Sequence, residues 1–335
     1  MFHIIKPGTQ FDFVGKRYLW LGLSAIAIVG TIVLLFTKGL NYGIDFTSGA
    51  EVRVKVPVEW KIDQVRFALE EGGMKSSKVI QLGEISQSEY LIRAQGTEET
   101  LNHVSEQVEG ILKSKVGDQG GFEVLSVDVV GPSAGSSLKK KGILAMVYAL
   151  LAILIYVGIR FDMRYAPGAV VALFHDTVFI IGIFILTGKQ FDLTILAAVL
   201  ALIGYSNNDT IIVYDRVRET SKLHPELSIE SVVNRAINET LARTILTSLT
   251  TFIVVFCLWK FGGSVIENFA FTLMVGLAVG TYSSVFIAST IVIYLTHYYR
   301  NKEIKAKARG SVASSSSSGS KNKKQNAEQH PSGAV

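Results

Sequence analysis

The 335-residue sequence predicts an α-helical polytopic membrane protein with six transmembrane helices and a small βαββαβ domain between the first and second helices. Three observations carry this. Of the residues, 49% are hydrophobic and only 18% charged, whereas soluble domains carry about a quarter charged residues. The apolar residues gather in runs at 18–37, 142–159, 166–187, 193–214, 244–259 and 269–297, each close to the ~20 residues that cross a bilayer. A single long stretch, 38–138, reads as a soluble domain.

Residues 1–17 lead into the first span, 18–37. Lys16 and Arg17 beside Tyr18 and Trp20 fit an interface anchor. The run is long and lacks a clear small-residue cleavage site, so it is expected to stay as an anchor. Gly39-Leu40-Asn41-Tyr42-Gly43-Ile44-Asp45-Phe46-Thr47-Ser48-Gly49 follows. Its glycines imply a tight backbone path, read here as a turn from membrane into strand in preference to a substrate-contacting segment.

Within 38–138, Glu51 to Val56 alternates as a half-buried strand does. Ile62 to Glu71 is helical in pattern and ends at Gly72-Gly73. Lys78 to Leu82 and Tyr90 to Ala94 form a strand pair. Thr97 caps a second helix with Leu101, Val104, Val108, Ile111 and Leu112 on one face. Phe122 to Val130 closes as a strand. The order βαββαβ is that of a ferredoxin-like unit, a fold with no fixed function. His103 stands alone and the acids are scattered, so the domain reads as a binding platform. Gly131 to Leu138 reads as a linker or hinge into the second span.

The net charge of +5 is distributed unevenly. Lys6, Lys16 and Arg17 precede the first span, Arg160 and Arg164 follow the second, and Arg216, Arg218, Lys222, Arg235 and Arg243 follow the fourth. Arg300, Lys302, Lys305, Lys307 and Arg309 follow the sixth. The opposite loops offer Lys189 and Lys260. The positive-inside rule then places both termini in the cytoplasm and 38–138 outside. Lys139-Lys140-Lys141 falls on the outer side against that trend, but large translocated domains obey the rule weakly.

The fourth run carries the most informative residues. Asp209 lies inside it, flanked by Ser206, Asn207, Asn208 and Thr210. A carboxylate at a helix centre costs about 2.5–3.5 kcal/mol on insertion scales, and intramembrane acids mark ion or proton paths. The competing explanation is that Asp209 reaches water near the helix end, about 9 Å from Asp215-Arg216 at helical rise. The polar neighbours favour the functional reading. In the third span, His175-Asp176-Thr177 is either a proton relay or a polar lock between helices. Residues 215–243 are expected to be a loop carrying an interfacial helix, with Ile229, Val232, Val233, Ala236 and Ile237 on its apolar face. The fifth span opens after Arg243, with a polar stripe at Thr247 and Thr250 or Thr251. Arg243 is expected either to pair with Asp209 or to act as a positive-inside anchor. In the sixth span, Gly276, Gly280, Ser284 and Ala288 recur every four residues, a spacing for close helix packing. Residues 300–335 form a basic, serine-rich tail expected to be disordered and to reach lipid or a cytoplasmic partner at most weakly.

Several function classes are disfavoured. Cys257 is the single cysteine, so no internal disulfide forms. No phosphate-binding Gly-x-x-x-x-Gly-Lys-Ser/Thr loop occurs, which argues against ATP hydrolysis. No enzymatic activity, cofactor, metal or nucleic-acid partner is expected.

Gly43-Ile44-Asp45-Phe46-Thr47-Ser48-Gly49 resembles the periplasmic signature Gly-Ile-Asp-Phe-Thr-Gly-Gly of the SecD/SecF family of protein-export membrane proteins, with Ser48 in place of a glycine. Val130-Gly131-Pro132, and Gly204-Tyr205-Ser206 through Asn208-Asp209-Thr210 to Asp215-Arg216, are similar to the family's other signatures. The resemblance spans residues 11–300. It implies a half of the resistance-nodulation-division type with six spans. It implies pairing with SecD, docking to the SecYEG channel, contacts with YajC, YidC and the translocating preprotein, and use of the proton motive force at the bacterial inner membrane. The family's essential intramembrane Asp and Arg map onto Asp209 and Arg243. Two other readings compete: a proton-driven small-molecule exporter of the same superfamily, and a passive scaffold.

Overall fold

The computed structural model describes residues 10–75, 77–82, 88–94, 103–116, 121–161 and 164–302. Its six long helices are α1 (Arg17–Thr37), α5 (Pro132–Arg160), α6 (Ala166–Thr187), α7 (Leu193–Leu223), α8 (Ile229–Phe261) and α9 (Ser264–Ser283). A π-helical turn, Ser284–Ala288, interrupts α9, and helix then continues through 289–302. All six are long and apolar enough to cross a membrane. In the apolar windows of α6, α7 and α9, 56% of residues are buried, against 11% for α1, α5 and α8. The first three therefore form the centre and the others its rim. Gly276 explains the closeness of α9 to α7: a Cβ there would collide with Leu202.

The soluble stretch folds as the sequence order predicts. Strands β1 (Gly49–Lys55), β2 (Lys78–Leu82), β3 (Glu89–Ala94) and β4 (Glu123–Val130) make one antiparallel sheet in the order β2-β3-β1-β4. That is the ferredoxin-like arrangement. Helices α3 (Ile62–Glu71) and α4 (Val104–Val116) cover one face. Val52, Val54, Val65, Leu69, Ile92, Val108 and Leu112 form its core. The alternation along β1 puts Val52 and Val54 inward and Arg53 and Lys55 outward, as strand geometry requires. Thr97 lies outside the described residues, as does the tail beyond Lys302.

Two expectations are corrected. The linker or hinge expected at 131–138 is helical from its second residue: Pro132 starts α5, which runs unbroken to Arg160, and only Gly131 lies outside it. Proline suits this first helical position because its missing N–H would be unpaired there anyway. Residues 215–243 are not a loop. Helix α7 continues to Leu223 and α8 begins at Ile229, capped by Ser228 accepting from Ser231 N. The expected amphipathic helix exists but is fused to the fifth span as its first turns. Its apolar residues Val232, Val233, Ala236 and Ile237 are buried against Val14, Val213, Val217 and Ile293. Asn234 and Asn238 also bond the backbone of Phe11 and Phe13, strapping the amino-terminal segment to α8.

Between α1 and β1 lies a short helix, α2 (Ile44–Thr47). The signature expected to be a simple turn is therefore a structured element, and it packs on the membrane bundle.

Candidate functional site

An α-helix turns about 100° per residue, so on α7 positions 206, 209, 210 and 213 share a face while 208 points away from it. The structure follows this. Ser206, Asp209 and Thr210 are buried, with Asp209 only 1% exposed, whereas Asn208 is exposed. Asn207 is also buried, and its side-chain oxygen has no partner among the described residues.

Asp209 Oδ2 accepts a 3.3 Å hydrogen bond from Ser248 Oγ on α8. Its Oδ1 is buried without a partner. A buried acceptor left unmade costs about 1–3 kcal/mol and more when charged, so this carboxyl is held in a costly state. Ser248 Oγ also lies 2.8 Å from Thr281 Oγ1 on α9. One hydroxyl has one proton, so Ser248 cannot donate to Asp209 and Thr281 together. With Asp209 ionised, Ser248 donates to it. With Asp209 protonated, the acid can donate to Ser248, which is then free to donate to Thr281. Thr281 Oγ1 also lies 2.9 Å from Leu277 O, to which it donates, so these groups link α7 through α8 to α9 with more than one possible placement of the protons.

Arg243 makes no close ion pair with Asp209, although its charge acts on the acid from farther away. It is exposed, and it makes no ion pair among the described residues. Five residues separate it from Ser248, which places the two side chains about 140° apart around α8. The stripe expected at Thr247 and Thr250 is also turned inward on its own helix. Thr247 Oγ1 donates to Arg243 O and Thr250 Oγ1 to Leu246 O. The groups that reach α7 are Ser248 and the Thr251 hydroxyl with the Thr247 carbonyl, both within reach of Tyr205 Oη. Polarity in this half-span was legible; which residues face α7 was not.

His175 and Asp176 sit in the core, 2% and 6% exposed. His175 Nδ1 is 3.1 Å from Asp176 Oδ1. Asp176 Oδ2 accepts from Ser206 Oγ at 2.7 Å and from Ser283 Oγ at 2.8 Å. One carboxylate therefore joins α6, α7 and α9. No described hydrogen bond joins it directly to Asp209. The two acids meet through one turn of α9, where Thr281 serves Ser248 and Ser283 serves Asp176. The π turn begins immediately after it, and Ser289 Oγ donates to Ser284 O across the widened turn. π turns of this kind often sit at functional places. Sequence reasoning missed Ser248, Thr281 and Ser283; the available signal was hydroxyls beside Gly280 in an otherwise apolar span.

Gly276 and Gly280 pack against α7 inside this chain, where a Cβ on Gly280 would lie 2.9 Å from Ser206 Cβ. Ser284 is buried and donates to Thr281 O. The small-residue stripe is consumed internally.

At the opposite end of α7 stands the glycine-rich signature. Phe46 is buried between Phe191 and Tyr42. Gly43 fits because a Cβ would be 2.9 Å from Asp192 Cβ. Gly49 has φ +146° and would put a Cβ 2.8 Å from Ala94 O. Asp45 Oδ2 accepts from Leu193 N at 2.9 Å. Burial pushes the neighbouring Asp192 carboxyl above its usual range, and the charges of Asp45 and Glu51 add to this, against the hydrogen bond from Ile195 N.

The family model for "Protein export membrane protein SecD/SecF, C-terminal" matches residues 111–298, and that for the "SecD/SecF GG Motif" matches 33–56. The protein translocase subunit SecF of Calditerrivibrio nitroreducens is 43% identical over 302 residues, covering 89% of this chain and 98% of the relative. That of Desulfurispirillum indicum is 43% identical over 300 residues, covering 88% of this chain and 94% of the relative. Among solved structures, SecDF from Thermus thermophilus, described as a translocon-associated membrane protein, superposes with a TM-score of 0.78 at 32% identity. The match covers 87% of this chain and 39% of that one, so this chain spans about two fifths of the SecDF length.

Proposed function

The chain belongs to the SecD/SecF family of protein-export membrane proteins, and we propose that it is the SecF-type subunit of the protein translocase, using the proton motive force to assist export. It is a multi-pass membrane protein, here placed in the bacterial inner membrane with both termini and the 224–228 turn cytoplasmic and the β-sheet domain periplasmic. The Lys/Arg asymmetry supports that orientation.

The observation that carries the mechanism is Asp209: a 1%-exposed acid inside a span, with one oxygen bonded to Ser248 and the other bare. Proton exchange at Asp209 changes the placement of protons on the Ser248 and Thr281 hydroxyls and so favours one packing of α8 and α9 on α7 over another. Asn208, Ser206 and Thr210 frame the acid's helix, and the His175–Asp176 pair anchors it. The exposed Arg243 acts on Asp209 in another arrangement of α8, in which rotation brings its guanidinium to the acid. One charge crossing 100 mV of potential supplies about 2.3 kcal/mol, enough to bias a two-state element.

The partner is SecD, and the observation supporting it is the open side of α7. Ala197, Ala201, Gly204 and Asn208 are exposed along one line of the α7 span, and a Cβ at Gly204 would meet nothing within 4 Å. A polar amide among small residues suits a second helix better than lipid. The SecYEG channel and the translocating preprotein follow from the translocase role, with YajC and YidC as further partners at the same membrane.

The test is export into vesicles carrying this chain with its SecD partner. Asp209→Asn is expected to abolish stimulation by an imposed proton gradient and to leave SecD binding and gradient-independent export in place. Undiminished stimulation would make the acid structural and the protein a scaffold. Cysteine labelling from outside intact cells checks the orientation; labelling at position 226 would reverse it.

A further inference from the structure

The periplasmic domain and the membrane bundle are joined by a network that the export reading does not use. Leaving α1, the chain pairs by backbone with the α6–α7 corner. Phe191 N donates to Asn41 O at 2.8 Å and Gly43 N to Phe191 O at 2.7 Å, while Asn41 Nδ2 donates to Gly188 O at 3.0 Å. Helix α2 then lies against the first turns of α5, where a Cβ on Gly135 would be 3.0 Å from Ser48 N. From β1, Glu51 Oε1 accepts from Gln190 Nε2 of the corner and from Arg93 Nε of β3, each at 2.8 Å. Arg93 Nη1 reaches back to Tyr42 O at 3.4 Å.

The centre of this joint is the start of α7. The first N–H groups of a helix have no partner within it. Asp192 meets the usual need by accepting from Ile195 N at 2.9 Å. Leu193 N is met by Asp45, which lies 148 residues away in the sequence and belongs to the periplasmic entry segment. A carboxylate at a helix N-terminus is also favoured by the helix dipole. Further along the same helix, at about 24 Å by helical rise, stands Asp209.

We infer that this joint is a rigid transmission in which Asp45 fastens the periplasmic domain to the N-terminal end of α7, so that domain and α6–α7 corner move as one body. The backbone pairs, the close glycine contact and the α5 helix that starts at Pro132 leave only Gly131 between β4 and the bundle. Asp45 is a positioning residue: its carboxylate holds the first turn of α7, and it sets the direction in which the domain follows that helix. Its functional consequence rests on the proposed role of Asp209; the rigidity itself does not.

The experiment uses the full chain with SecD in vesicles, with Cys257 replaced by serine. Spin labels are placed through Phe67→Cys in the domain and Leu186→Cys near the corner, both exposed, and their distance is measured by pulsed electron resonance. A single narrow distribution is expected, unchanged by a proton gradient. Asp45→Ala is expected to broaden it and to lower proton-stimulated export several-fold, whereas Asp45→Asn, which can accept the same hydrogen bond, restores both. A distance that shifts with the gradient in the parent, or an Asp45→Ala distribution as narrow as the parent's, overturns the inference. Undiminished export by Asp209→Asn would remove the proton reading, while the distance measurement would still decide the joint.

Discussion

Ser283 of α9 donates a 2.8 Å hydrogen bond to Asp176 Oδ2 of α6, an oxygen that also accepts from Ser206 of α7. The contact ties the centre of the bundle at the turn preceding the π-helical segment.

Removing that donor leaves a buried carboxylate oxygen short of a partner. A hydrogen bond to a charged group contributes about 1.5–3 kcal/mol, so Ser283→Ala is expected to destabilise the bundle by that order. Thermal unfolding of the solubilised protein measures it. Ser289→Ala, which loses a bond to a backbone carbonyl only, is expected to cost less, about 1 kcal/mol.

Ser248 is the hydroxyl donor to Asp209. Ser248→Ala is expected to reduce proton-stimulated export at least tenfold, about 1.4 kcal/mol or more of lost bias. Thr250→Ala, whose hydroxyl bonds the backbone of its own helix, is expected to export like the parent. Equal effects of the two would remove Ser248 from the chain of hydroxyls.

The open stripe and the closed stripe of small residues are distinguishable. At Gly204 an added Cβ meets no atom of this chain within 4 Å, so Gly204→Leu is expected to fold normally but to lose co-purification with SecD. Gly276→Leu collides with Leu202 and is expected to impair folding of the chain itself. Full SecD recovery with Gly204→Leu would move the interface elsewhere.

Ser48 has φ 64° and ψ 156°, a region open essentially to glycine, where a side chain costs about 1–3 kcal/mol. Ser48→Gly is therefore expected to stabilise the protein by about 1 kcal/mol or more, read as a higher unfolding midpoint. The signature that this segment resembles carries glycine at this place.

Asp192 is raised above its usual range by burial, with Asp45 and Glu51 adding. A carboxyl raised in the folded state favours folding below its unfolded value and loses that contribution as pH rises through the folded one. Asp192→Asn keeps the helix cap and removes the charge. It is expected to raise the unfolding midpoint at neutral pH, with the gain shrinking as pH falls through the ordinary carboxylate range. A gain that stays constant with pH would refute the assignment.

The membrane architecture was legible because hydrocarbon imposes a length and a composition on any span, and those are local properties of a run such as 166–187. The periplasmic fold was legible for a similar reason: the alternation at Val52 and Val54 and the helical spacing at Val104, Val108 and Leu112 mark faces that must be buried. Asp209 stood out because its cost in the membrane depends little on which neighbours it meets. Its partners did not stand out. Thr247, Ser248, Thr250 and Thr251 are alike in composition, and their roles are separated only by the rotation of α8 against α7, which turns Ser248 inward and Arg243 outward. The same holds for Asn207 and Asn208, adjacent in sequence and on different sides of α7.

The sequence by itself determined where the chain can cross a membrane, which segment folds outside it, and which acid is costly to place within a span, because each follows from the solvation of residues near one another in the chain. Tertiary structure alone decided that Asp176 joins three helices, that Ser248 rather than Arg243 serves Asp209, and that Asp45 caps a helix 148 residues away. Those are matters of helix rotation and close approach, set by glycines such as Gly276 and Gly280 and by the packing of the whole bundle, and no local pattern encodes them.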